Sequence, residues 1–96
     1  MKQTLLTESP LFEVGRVVMT AAAADLISEP HALYLLSRHI SGDYGDIGAE
    51  DKVENNAGLG NGGRVLSVYK ISDASPVWII TESDHSVTTI LTPADY

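Results

Sequence analysis

The chain contains no cysteine, which removes disulfides, thiolate zinc sites and thiol nucleophiles together. It is also short of positive charge. Six Lys and Arg against thirteen Asp and Glu leave a formal net charge of −7, and the pI is near 4.6. That balance argues against binding nucleic acid through a basic face. Long apolar runs are missing too: the uncharged stretch 17–24 holds Thr20 and is followed by Asp25, far from the roughly 20 residues that span a bilayer. Glu8 and Glu13 precede that stretch, where a secretory signal would carry positive charge. These absences set the expectation of a cytoplasmic protein that engages neither membrane nor nucleic acid directly.

What is present is ordinary for a globular domain. Hydrophobic residues make up 44% of the 96 positions and charged residues 20%, so wholesale disorder is not expected. A chain this long buries roughly two-thirds of its surface on folding, enough for one core and too little for two.

Residues 1–10 carry no period and end at Pro10, and read as a flexible arm ahead of a single domain over 11–96. Residues 11–19, with Val14, Val17 and Val18, read as extended, with a bulge or turn at Gly15. Thr20 is placed to cap a short alanine-rich helix over 21–27. A second helix restarts at Ser28-Glu29-Pro30. Leu33, Leu36 and Ile40 give its buried face, Leu35 widens it, Arg38 and His39 fall in the last turn, and Gly42 stops it. Gly48 opens a third helix in which Ala49, Val53 and Ala57 form an apolar stripe.

After the glycines of 58–63 come three strand-like runs, 64–71, 77–82 and 86–92, joined by hairpin-length connections. In the middle run Trp78 and Ile80 share one face and Val77 and Ile79 the other, so both faces are expected to be covered at least in part. The fold class is α+β. Two or three short N-terminal helices pack on a C-terminal three-stranded antiparallel meander, and 11–19 is a candidate fourth strand.

Several constellations invite chemistry. Gly58, Gly60 and Gly63 match G-x-G-x-x-G, but the nucleotide fingerprint runs strand, glycines, helix, and here a helix precedes the glycines and a strand follows. Asp84-His85-Ser86 holds three triad residue types side by side, yet neighbours in a tight turn point in different directions and cannot relay a proton in line. His31 and His39 are eight residues apart, about 80° off a common helical face, and offer no metal pair. No metal and no cofactor is expected. Asp43, Asp46, Glu50, Asp51 and Glu54 crowd twelve residues, relieved only by Lys52. This cluster reads either as a solvated face at a helix N-terminus or as an acidic surface that docks a basic partner. Tyr44, set between two Gly-Asp pairs, reads as a packing plug or as a recognition anchor.

In order along the chain, GRVVMT (15–20), SRHISGDYGD (37–46), GGRVLSVYKI (62–71), VWIITESDHSVTTIL (77–91) and the closing Pro93 and Tyr96 resemble a family of small bacterial proteins carried on plasmids and other mobile elements. The likeness covers roughly residues 14–96, nearly a whole domain's length. Some members are labelled "type I restriction endonuclease subunit M". A DNA methyltransferase subunit needs a cofactor-binding α/β domain and an Asn-Pro-Pro-Tyr type motif. None of the four prolines here adjoins another, and this length cannot hold that domain. The resemblance implies a mobile-element setting and nothing about catalytic residues.

The functional expectation is a non-enzymatic binding module. Asp43, Tyr44, Asp46, Glu50, Asp51 and Glu54 would meet a basic surface on a host or plasmid protein, as an inhibitor of a nucleic-acid-targeting defence system would. The competing expectation is a small enzyme or ligand-binding domain with its site near His39, Asp43, Asp46 and His85. Homodimerisation through unpaired strand edges is a further expectation.

Overall fold

A computed structural model describes residues 11–59, 63–71 and 73–96; the 1–10 arm lies outside them. Strand β1 (Arg16–Met19) leads into helices α1 (Ala21–Leu26), α2 (Glu29–Ile40) and α3 (Ala49–Gly58). Strands β2 (Val65–Tyr69), β3 (Val77–Thr81) and β4 (Val87–Leu91) follow, then a 3₁₀ turn, Pro93–Asp95. The sheet order is β1-β4-β3-β2. The meander is antiparallel as expected, and β1 supplies the fourth strand, parallel to β4. A parallel neighbour needs a long crossover, and the chain between Met19 and Val87 provides it.

Local signals act where the residues place them. Thr20 Oγ1 accepts from Ala23 N at 3.2 Å and caps α1, and Ser28 Oγ accepts from His31 N at 3.2 Å and caps α2. Gly15 has φ +63, and the carbonyl oxygen of Ser86 lies where a Cβ would be. Only glycine allows β1 to start that close to the β3–β4 turn.

Strand alternation puts Val65, Ser67, Tyr69, Val77, Ile79, Thr81, Thr88 and Ile90 on one buried face. Against it α2 sets Ala32, Leu35, Leu36, Ser37, His39 and Ile40. Two helical stripes differ from the expectation. Leu33 is 39% exposed, because the buried face of α2 is centred one residue away, on Ala32, Leu35, Leu36 and His39. In α3 Val53 is 67% exposed, and the residue that turns inward is Asn55 at 2%.

Asn55 explains that rotation. Its amide nitrogen donates to Leu66 O at 2.7 Å and its amide oxygen accepts from Leu66 N at 2.9 Å. Further along the same edge, Val68 N donates to Tyr44 O at 3.0 Å and Asp46 N donates to Val68 O at 2.8 Å. The outer edge of β2 is thus closed by a side-chain amide and by a short parallel bridge from Gly45. Asn55→Ala strips two partners from a part-buried peptide, and is expected to lower unfolding free energy by about 2–3 kcal/mol. Urea denaturation with an unchanged m-value would show it.

Candidate docking surface

The six residues of the acidic reading do not share one environment. Asp43 is committed inside the chain: Arg38 donates to its carboxylate from Nε at 2.7 Å and Nη2 at 3.1 Å. The same guanidinium lies 4.6 Å from the Tyr69 ring centroid. This bidentate pair holds the Asp43 carboxyl below its ordinary pKa and raises that of Arg38. Tyr44 is 4% exposed and turned inward beside His39, with ring centroids 6.3 Å apart. Of its two readings, the plug describes where the side chain sits. Burial raises the Tyr44 phenol pKa, and its hydroxyl is buried without a hydrogen-bond partner among the described residues. Asp46 is exposed, with Lys70 Nζ 4.0 Å from its carboxylate.

Glu50, Asp51 and Glu54 are exposed on α3 and make no ion pair among the described residues. Asp51 and Glu54, one turn apart, wall an open cleft of about 300 Å³ between α3 and the outer face of the sheet. Its other wall is aromatic and apolar, from Leu66, Trp78, Ile80 and Tyr96. Trp78 is half-buried on this outer face, with the Tyr96 ring 5.5 Å away edge-on. Arg64 stands 5.3 Å over the Tyr96 ring and donates to Tyr96 Oη at 2.6 Å. The rim is therefore two free carboxylates and one guanidinium around an aromatic floor. The cleft was hidden in the sequence because Tyr96 and Trp78 are eighteen residues apart, and only the 3₁₀ turn after β4 folds one onto the other.

The residues of the enzymatic reading are separated. His39 is fully buried. Its Nδ1 contacts Ser67 Oγ at 2.6 Å and its Nε2 contacts Thr81 Oγ1 at 2.9 Å. Burial depresses its pKa to about 3. His39 sits in the last turn of α2 as expected, but its side chain faces the sheet. His85 lies in the β3–β4 turn at φ +58, with Phe12 between the two imidazoles at 5.1 Å from His39 and 5.6 Å from His85. Asp43 and Asp46 sit on the exposed 43–46 loop.

The Ser67–His39 contact has the spacing of an activated hydroxyl and its base, but both side chains are fully buried, so no substrate carbonyl can reach it. Asp84-His85-Ser86 is a hairpin turn, in which Asp84 Oδ1 accepts from Ser86 N at 3.0 Å and from Ser86 Oγ at 2.7 Å. These bonds hold the Asp84 carboxyl below its ordinary pKa. Of the G-x-G-x-x-G residues Gly58 ends α3 and Gly63 precedes β2, so helix comes before strand, the reverse of the nucleotide order, with Gly60 outside the described residues. No three carboxylates or imidazoles converge among the described residues, and no described helix is long and apolar enough to cross a membrane. No protein-family model, curated protein or solved structure matches the chain.

Proposed function

We propose that this chain is a non-enzymatic protein-binding module that docks a basic partner surface with α3 and the cleft beside it. The observation that carries the reading is the pairing of Asp51 and Glu54 with an aromatic floor of Trp78 and Tyr96. Carboxylates at the rim and rings beneath suit a lysine or arginine side chain, whose charge meets the acids while its stem or guanidinium plane covers the rings. Glu50 extends the same negative field, and Asp46 adds to it from the loop before α3. Asp43 is already paired and Tyr44 is inward, so neither belongs to the docking set in this form. The mobile-element resemblance makes an inhibitor of a host nucleic-acid-targeting defence protein the biological version of this reading. It would compete by charge, with no reaction of its own.

Trp78 is the only tryptophan, so its fluorescence reports the cleft directly. Titration with a short arginine-rich peptide is expected to change that emission in a saturable, salt-sensitive way. Glu50→Gln, Asp51→Asn and Glu54→Gln together are expected to weaken the response at least ~10-fold and flatten its salt dependence, with the melting temperature nearly unchanged. The same triple variant should release the basic partner captured from host lysate by the wild type. An emission response that is absent, or equal in the variant, would count against the proposal.

A further inference from the structure

The sheet has two edges, and the fold treats them differently. The β2 edge is closed by Asn55 and the 44–46 backbone. The β1 edge is open among the described residues. Arg16 N donates to Ser86 O at 2.9 Å and Thr20 N donates to Ile90 O at 2.9 Å, so the alternate peptides, at Val17 and Met19, face away from β4. No group among the described residues takes them. Beside this edge runs an apolar groove of about 160 Å³ between β1 and α2, with Val17, Met19, Leu33 and Leu36 among its walls. Val17 and Leu33 are two of the large hydrophobic side chains left exposed. An edge left unpaired among the described residues, next to exposed apolar side chains, is a template for another strand.

We propose that a second copy of this chain supplies that strand. Two β1 strands pair antiparallel about a two-fold axis at Val18, joining the two sheets into one. This register pairs both outward peptides of β1: Val17 meets Met19 of the other copy and Met19 meets Val17, giving four main-chain hydrogen bonds, with Val18 facing Val18. The same register sets Arg16 of one copy opposite Thr20 of the other, with both side chains on the outer face. Thr20 Oγ1 donates to Asp95 Oδ2 at 2.7 Å, so the Asp95 carboxylate lies where Arg16 of the second copy arrives. Arg16 makes no ion pair within its own chain among the described residues. The pairing thus places opposite charges together twice, once on each side of the axis, and keeps the two Arg16 side chains apart. The β1 edge and the β2 edge beside α3 are opposite edges of the sheet, and although Asp95 adjoins Tyr96 of the cleft, association measurements read this interface separately from the docking function.

Light scattering across a wide concentration series tests the proposal. The wild-type mass is expected to rise from 10.3 kDa toward twice that value. Val17→Pro removes an outward N–H at an edge position that tolerates proline, and should weaken association at least ~10-fold while circular dichroism and the melt are preserved. Arg16→Glu should weaken it comparably.

Because the chain has no cysteine, Val18→Cys reads the register itself. Facing residues in a non-hydrogen-bonded antiparallel pair are close enough for a disulfide, so mild oxidation should give a covalent dimer much faster than in the exposed control Val53→Cys. A mass that stays at 10.3 kDa overturns the proposal. So does a dimer untouched by Val17→Pro, or equal cross-linking of the two cysteine variants.

Discussion

Gly45→Ala is expected to be among the most damaging single substitutions in this chain, costing about 4 kcal/mol or more. Two effects combine. Gly45 has φ +71, where an alanine Cβ is strained by about 1–2 kcal/mol. The Val68 carbonyl oxygen also occupies the space the Cβ would need, with the Tyr69 ring 2.9 Å from it. Backbone cannot yield as a flexible side-chain end can. The loop would have to retreat, breaking the Val68 N–H to Tyr44 O and Asp46 N–H to Val68 O bonds that close the β2 edge. The melting temperature should fall by about 15–30 °C, using the usual conversion for a domain of this size. Gly48 provides the control. It caps α3 at φ −75 and nothing lies within 4 Å of its Cβ position, so Gly48→Ser should change stability by about 0.5 kcal/mol or less. Equal melts for the two variants would show that the 44–46 bridge contributes little.

That contrast also shows what the sequence could and could not express. Gly42, Gly45 and Gly48 all read as loop punctuation, and the helix cap at Thr20 was legible because capping depends on residues three apart. The order of helices and meander, the strand positions and the partial burial of both faces of β3 followed from local periodicity. Partners from distant segments were not legible. Asn55 looked like a weak helix end, because nothing nearby in the chain reveals that Leu66 needs its amide. The apolar stripe of Ala49, Val53 and Ala57 pointed the wrong way for the same reason: one bidentate side-chain hydrogen bond set the rotation of α3 against its hydrophobic pattern.

The acidic cluster was visible as a count of charges, whereas its division was not. Asp43 belongs to Arg38, Tyr44 to the core, and of these six residues Asp51 and Glu54 line the aromatic cleft. The buried histidine had a faint signal. Ser67, Thr81 and Thr88 fall at inward strand positions, and three hydroxyls in a core call for a polar partner from the facing helix.

That partner makes the fold acid-sensitive by a mechanism that can be isolated. Thr88 Oγ1 donates to Val14 O at 2.8 Å, so its lone pairs face Thr81, which donates to it at 2.7 Å. Thr81 Oγ1 must then accept from His39 Nε2–H, and Nδ1 accepts from Ser67 Oγ–H. The chain of donors is consistent with a single neutral tautomer, and burial among hydroxyls, with no carboxylate partner among the described residues, opposes a second ring proton. Burial holds the native pKa at about 3, against 6.5 for a free histidine.

Between those values the unfolded chain binds the proton and the native one refuses it. His39 therefore costs the fold nothing above pH 6.5, and it removes about 1.4 kcal/mol for each unit of pH below that, down to about 3. The full loss is on the order of 5 kcal/mol, comparable to the whole stability of a small domain. His39→Gln keeps a donor and an acceptor without the titration. It should be about 2 kcal/mol less stable at pH 7 through imperfect packing, yet lack this slope. Carboxylates such as Asp43 titrate in both proteins and cancel in the comparison. Urea midpoints measured from pH 7 to pH 4 should then converge and cross near about pH 5, with the variant the more stable below. Curves that run parallel would mean that His39 carries its proton in the folded state, and that the hydroxyl chain runs in another direction.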